Sequence, residues 1–363
     1  MKNRYCIEHI RLFWGQMPVR VSFSYGTEKH FNFMLVRLGA GAAEGIGEVL
    51  VPPNDFIRHF LPSLLGRDAR RLDALLPETS NDYERIVCEA VSMALYDLVG
   101  RISNLPLHTL LGGAVDDSVP LMPCIFPNSA EEAKERAQFF FSQGYRHLKT
   151  KLTGNLEEDR ARVQAIRSVA PLHAVLQGDA NEGYKTLPEA CQAVDELGAA
   201  GLDFFEDPLK GGVEDYRVLR ARCHGAKIMV DVLSRRTEDL LAVLRAGAAD
   251  AINIHPDQAG SLSRVVQHAM LARSFGTPVI IGGTGYTAVG TAAYQHLTAV
   301  ATPGGICGEL GGVLDHDMPN SLVKQSLQMR DGAVILPDRP GTGVEIDEEA
   351  LVERIKGQQK WSR

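Results

Sequence analysis

A ladder in the second half of the chain constrains its fold more than any other feature. Seven short apolar runs end on Lys151, Asp179, Glu206, Asp231, His255, Gly282 and Glu309, 24 to 28 residues apart. A strand, a return helix and two loops need about 25 residues, so repetition at this period predicts a (β/α) barrel. A barrel puts the C-terminal ends of its strands on one face. The ladder therefore predicts a single centre containing Lys149, Lys151, three carboxylates and His255.

The segments between rungs support this reading. Helices are predicted over about 157–170, 187–199, 213–223, 237–247, 261–275 and 287–300, with an earlier one from the capping box Ser129-Ala-Glu-Glu132 to about Gln143. Gly144, Gly201, Gly247 and Gly276 fall where a left-handed cap ends a helix. Ahead of the barrel, strands are predicted at 4–13, 31–38 and 44–50, and short helices over 55–77. A long helix follows over 81–100, closed by Gly100. The expected organisation is an N-terminal α+β unit (1–115), a barrel (116–325), and a C-terminal segment (326–363) that packs back on the first unit.

Composition excludes several classes. A net charge of −7 gives no bulk attraction to nucleic acid or anionic membrane. No apolar run approaches the ~18 residues of a membrane span, and the first ten residues lack a secretory apolar core. The six cysteines are scattered, with none in a CxxC pair, so they are expected to be reduced, in a cytoplasmic protein without a zinc site.

Asp179, Glu206 and Asp231 end three successive predicted strands. Three carboxylates on one rim repel each other unless a cation lies among them. Oxygen ligands of this kind suit Mg²⁺, one per subunit, with coordination positions left for substrate. Asn181 is either a turn residue or a group facing the substrate. Lys149 and Lys151 are two apart on a strand, so both face the barrel interior. Paired ammonium groups lower each other's pKa, which suits a base near neutral pH. A metal beside such a base points to removal of the proton alpha to a carboxylate through an enediolate.

These residues resemble the enolase superfamily, in the mandelate racemase/muconate lactonizing enzyme family and its muconate-lactonizing branch. Lys149-Thr-Lys151 resembles the KxK motif, and Gly178-Asp-Ala-Asn181, Phe205-Glu-Asp-Pro-Leu209 and Val230-Asp231 resemble the three metal-ligand motifs. Phe33-Met-Leu-Val-Arg-Leu, Gly45-Ile-Gly-Glu and Glu89-Ala-Val-Ser-Met-Ala-Leu-Tyr-Asp-Leu are similar to the family's capping domain and its linker. The resemblance implies an α/β fold, a modified TIM barrel (β/α)₇β with an N-terminal α+β capping domain. It also implies bound Mg²⁺, Lys151 as base with Lys149 as its electrostatic partner, and a homo-oligomer. A loop over about Trp14–His30, carrying Tyr25, would close on a small carboxylate substrate.

The chain departs from the pattern at two rungs. His255 stands where the lactonizing branch has a second lysine, and Ile280-Ile-Gly-Gly lacks the histidine of the acid-sugar branch. His255 is expected to act as a second base or an acid, or else only to orient substrate. Glu309 contacts either substrate or the lysines. The leading expectation is a racemase or epimerase of a small carboxylic acid or amino-acid derivative. Alternatives are a hydroxy-acid dehydratase and a cycloisomerase. A non-catalytic binding barrel has no need of the lysine pair.

Overall fold

The computed structural model describes residues 3–23, 26–114, 116–126, 129–283, 287–303, 308–309 and 322–363. The chain opens with β1 (His9–Phe23), β2 (Gly26–Ala40) and β3 (Ala43–Val49), paired antiparallel. The helix Asp82–Ser103 packs on this sheet, and Val87, Val91, Ala94, Leu95 and Leu98 share a core with Ile10, Leu12, Val36 and Leu38. Two expectations change here. Residues 14–23 and 26–30 are not an open loop, because they belong to β1 and β2, which pair antiparallel along this length. The helix also continues past Gly100 to Ser103, where Asn104 supplies the left-handed cap (φ 57°). Gly100 is needed for a different reason: a Cβ there would lie 2.8 Å from the Cα of Gly341.

The barrel strands are β4 (Ser118–Met122), β5 (Cys124–Ile125), β6 (His147–Lys151), β7 (Val175–Asp179), β8 (Phe204–Glu206), β9 (Lys227–Val230), β10 (Ala251–Ile254), β11 (Val279–Ile281) and β12 (Gly308–Glu309). After them come β13 (Met329–Arg330), β14 (Ala333–Ile335) and β15 (Ile355–Ser362). β5 to β11 form one parallel sheet in sequence order. β4 runs into β5 across Pro123, and β12 pairs with β4 in parallel, so the curled sheet closes through that segment. Helices Ala130–Ser142, Leu156–Arg167, Leu187–Ala199, Val213–Arg222, Thr237–Ala246, Leu262–Ser274 and Ala288–Ala301 separate the strands. This is a (β/α)₇β barrel with an N-terminal α+β cap.

The helices follow from local chemistry. Ser129 and Glu132 form a capping box, as do Thr186 and Glu189, and each pair satisfies two otherwise unbonded backbone N–H groups. Gly144, Gly201, Gly247 and Gly276 all take positive φ just past helix ends. The tail divides: β14 pairs with β4 of the barrel and β15 with β1 of the cap. Among the described residues no helix is long and apolar enough to cross a membrane. Cys6, Cys88, Cys124, Cys191 and Cys223 are free thiols, while Cys307 lies outside the described residues.

Candidate active site

Strand register assembles the centre. Lys151 pairs with Asp179, and Asp179 with Glu206, so these three lie in one layer at the ends of β6, β7 and β8. One layer below, Lys149 pairs with Gln177. The alternation of a strand turns all five side chains inward. Lys149 is 1% exposed, and its Nζ lies 2.7 Å from Glu206 Oε2 and 3.0 Å from Asp179 Oδ2. Lys151 Nζ lies 2.5 Å from the same Asp179 oxygen. Burial alone would raise the Asp179 pKa, but the two ammonium groups outweigh it and hold the carboxyl well below its usual range.

Glu206 also accepts hydrogen bonds from Gln177 Nε2 and, at 2.7 Å, from Asn253 Nδ2. Asp231 follows β9 directly; its Oδ1 is buried with no hydrogen-bond partner among the described residues, and its Oδ2 lies 3.6 Å from Arg235 Nη2. Asp207, beside Glu206, holds this turn by accepting from the Asp231 and Val232 backbone N–H groups, each at 3.1 Å. Burial pushes its carboxyl well above the usual range, and the charges of Asp231, Glu206 and Asp179 push it further. Asn181 donates to both oxygens of Asp179, from its backbone N at 2.8 Å and its side-chain Nδ2 at 3.2 Å. Its own Oδ1 is buried with no hydrogen-bond partner among the described residues.

His255 follows β10, four strand positions from β6 and so across the barrel from Lys151. It lies between two carboxylates: Nε2 is 3.8 Å from Asp231 Oδ2, and Nδ1 is 3.9 Å from Asp257 Oδ1. Burial raises the Asp257 carboxyl, and Asp231 adds to that shift. The glycine after β11 now has a local explanation. A Cβ on Gly282 would lie 2.4 Å from His255 Nε2 and 2.5 Å from Asn253 Oδ1, so a side chain there and this imidazole exclude one another.

The expected residues are thus distributed as follows. Lys149, Lys151, Asp179, Glu206, Asp231 and His255 converge on one rim, and Asn181 binds Asp179. Glu309 lies on β12 beside Met122, with its side chain outside the described residues, as is Tyr25 altogether. Sequence reasoning missed Gln177, Asn253, Asp207 and Asp257. Gln177 and Asn253 carried a signal, since each precedes a singled-out residue by two and so shares its inward face.

The donor set fits a hard divalent cation. Among the described residues, Glu206, Asp231 and His255 offer ligand atoms all within 4.8 Å of one another. The unbonded Asp231 Oδ1 is a further oxygen donor. Asp179 is held by both lysines, with which a cation would compete for it.

Comparison with known proteins places the chain. Residues 9–112 match the mandelate racemase / muconate lactonizing enzyme N-terminal domain, and residues 130–350 match the enolase C-terminal domain-like family. The chain is 31% identical over 336 residues to muconate cycloisomerase 1 of Rhodococcus opacus, covering 86% of this chain and 87% of that one. It is 30% identical over 321 residues to an L-Lys-D/L-Arg epimerase of Methylococcus capsulatus, covering 85% and 87%. The solved structure of muconate lactonizing enzyme from Pseudomonas fluorescens, in complex with muconolactone, superposes with a TM-score of 0.88 at 24% identity, covering 97% of this chain and 100% of that one. The protein belongs to the mandelate racemase/muconate lactonizing enzyme family of the enolase superfamily. Racemases, epimerases, cycloisomerases and dehydratases are among its relatives, and it is an enzyme of that group.

Proposed function

We propose that the protein is an isomerase that removes and returns the proton alpha to a carboxylate, acting as a racemase or epimerase on a small carboxylic acid or amino-acid derivative. The observation that carries this reading is the placement of two proton-transfer groups, Lys151 and His255, on opposite sides of one carboxylate-rich rim. A substrate carbon held between them loses its proton to one face and regains it from the other, which inverts its configuration. Lys149, one layer below, holds Asp179 and Glu206 in place and keeps positive charge near Lys151. Asp179, Glu206 and Asp231 would hold the cation, a role that suits Mg²⁺. Bound there, the cation would hold the substrate carboxylate and offset the charge created by proton loss. Buried donors at fixed positions make that stabilisation effective because they need no reorganisation.

A second reading is a dehydratase. His255 lies beside Asp231 and Asp257 on the rim, where a protonated imidazole could hand its proton to a departing hydroxyl. Relatives include an arabinonate dehydratase and a cis-3-hydroxy-L-proline dehydratase.

The test is a Mg²⁺-supplemented screen of N-acylated amino acids, dipeptides and hydroxy acids, read by polarimetry and by keto-acid formation. Loss of optical rotation without keto acid supports the isomerase. Keto acid as the sole product replaces it with the dehydratase.

A further inference from the structure

Two of the scattered cysteines meet in the fold. Cys191 lies in the helix Leu187–Ala199 and Cys223 follows the helix Val213–Arg222, and the Cys223 thiol is within hydrogen-bonding reach of the Cys191 thiol. Backbone contacts hold the two segments together. One turn after Cys191, on the same face of its helix, Asp195 Oδ1 accepts from the backbone N–H groups of His224 at 2.8 Å and Gly225 at 3.1 Å. The Val194 carbonyl accepts from Ala226 N at 3.1 Å. Two glycines permit this approach. A Cβ on Gly225 would lie 2.3 Å from the Val194 carbonyl oxygen, and one on Gly198 would lie 2.2 Å from the Gly225 carbonyl carbon. The chain leaving Cys223 is therefore fixed against the helix that carries Cys191.

The two thiols differ in access. Cys223 is 7% exposed, within the barrel core, and Cys191 is half-buried at the edge of that core. Burial pushes the Cys223 thiol up to about 12, and Cys191 beside it adds to the shift. Cys191 is thus the thiol that a dissolved oxidant meets first, and Cys223 is placed to resolve the product. The location matters as well. Helix Leu187–Ala199 follows β7, and the chain after Cys223 leads into β9, so a bond between the pair encloses β8. It would join the units that carry Asp179, Glu206 and Asp231.

We propose that Cys191 and Cys223 form a reversible disulfide by exchange with low-molecular-weight disulfides such as oxidised glutathione. First, Cys191 gives its proton to water, and its sulfur attacks one glutathione sulfur, breaking that S–S bond and releasing one glutathione thiolate. Next, Cys223 loses its proton to solvent, and its sulfur attacks Cys191 Sγ, forming the Sγ–Sγ bond and releasing the second glutathione thiolate. Two protein thiols are oxidised, one glutathione disulfide is reduced, and the two released thiolates take up the two protons. The site is independent of the reaction proposed above.

Intact-mass spectrometry of the folded full-length chain tests it, after incubation with oxidised glutathione at about pH 8, where an ordinary thiol is partly ionised, with EDTA and no denaturant. The wild type is expected to lose about two mass units and to retain no glutathione on Cys191. Digestion without reductant should then yield a peptide pair joining Cys191 to Cys223, and dithiothreitol should restore the starting mass. Cys223→Ser should instead trap glutathione on Cys191, about tenfold or more above the wild type, because nothing resolves the mixed disulfide. Cys191→Ser should form neither product at Cys223. Circular dichroism checks that both variants are folded, and the wild-type result stands without them. Three results overturn the proposal: glutathione that stays on Cys191 in the wild type, a bridge from Cys191 to a different cysteine, or an unchanged mass.

Discussion

Lys149→Met gives the sharpest perturbation of the rim. The substitution keeps the stem and removes a charge that is 1% exposed, 2.7 Å from Glu206 and 3.0 Å from Asp179. At an effective dielectric of about 20, each contact is worth roughly 6 kcal/mol before the lysine's own desolvation is subtracted. Removing one member of such a buried set typically costs about 3–5 kcal/mol, because the remaining charge is left uncompensated. In EDTA at pH 7, urea unfolding followed by circular dichroism should therefore show the variant about 3–5 kcal/mol less stable. The sign of the pH dependence follows from the pairing. In the wild type, Asp179 has a depressed pKa, so its contribution is present above the unfolded value and is lost only as pH falls through the folded one. In the variant the unpaired carboxylates can escape by protonation, so the gap should narrow as pH is lowered from 7 toward 4. A Lys149→Met protein within about 1 kcal/mol of wild type across that range would refute the account of the rim as a tightly paired, buried charge set.

Other outcomes can be checked separately. Gly282→Ala should reduce turnover about as much as His255→Ala, because the new Cβ must displace the imidazole from a 2.4 Å approach; wild-type activity in Gly282→Ala would break that link. Glu89 is fully buried with Tyr294 beside its carboxyl, and burial raises its pKa well above the usual range. Glu89→Gln, which mimics the neutral acid, should therefore leave stability at pH 7 within about 0.5 kcal/mol. His296 is buried, which together with nearby His108 lowers its pKa to about 3. Its neutral form supports the fold above the unfolded value near 6.5, and that support is lost as pH falls. Between pH 7 and pH 5 this residue should account for about 2 kcal/mol of lost stability, which His296→Gln should remove from the measured pH profile.

The placement of the rim residues was legible because they lie at strand ends. β6, β7 and β8 end on Lys151, Asp179 and Glu206, and β9, β10 and β11 stop one residue before Asp231, His255 and Gly282. A repeat of one strand and one helix fixes those positions without knowledge of packing. The partners of the rim were less legible, because they depend on cross-strand register. Gln177 and Asn253 both reach Glu206, although neither is adjacent to it in sequence. In sequence Asp207 is only the neighbour of Glu206, and its role on the Asp231 turn arises only once β8 and β9 lie side by side. The first hairpin carried a signal that was passed over: Met17, Val19, Val21 and Phe23 alternate with other residues as a strand does, and the paired β1 and β2 hold residues 14–23 and 26–30 extended.

The central claim is that Lys151 takes a proton from the carbon beside a carboxylate. Proton NMR in D₂O follows it directly, using whichever carboxylate the screen shows to be turned over. The account predicts that wild-type protein with Mg²⁺ exchanges the alpha proton for deuterium. It also predicts that Lys151→Ala loses exchange by about 10²–10⁴-fold from the enantiomer whose proton faces Lys151, the usual contribution of a positioned base, while His255→Ala keeps exchange from that enantiomer alone. Undiminished exchange in Lys151→Ala, or turnover with no exchange in the wild type, would contradict it.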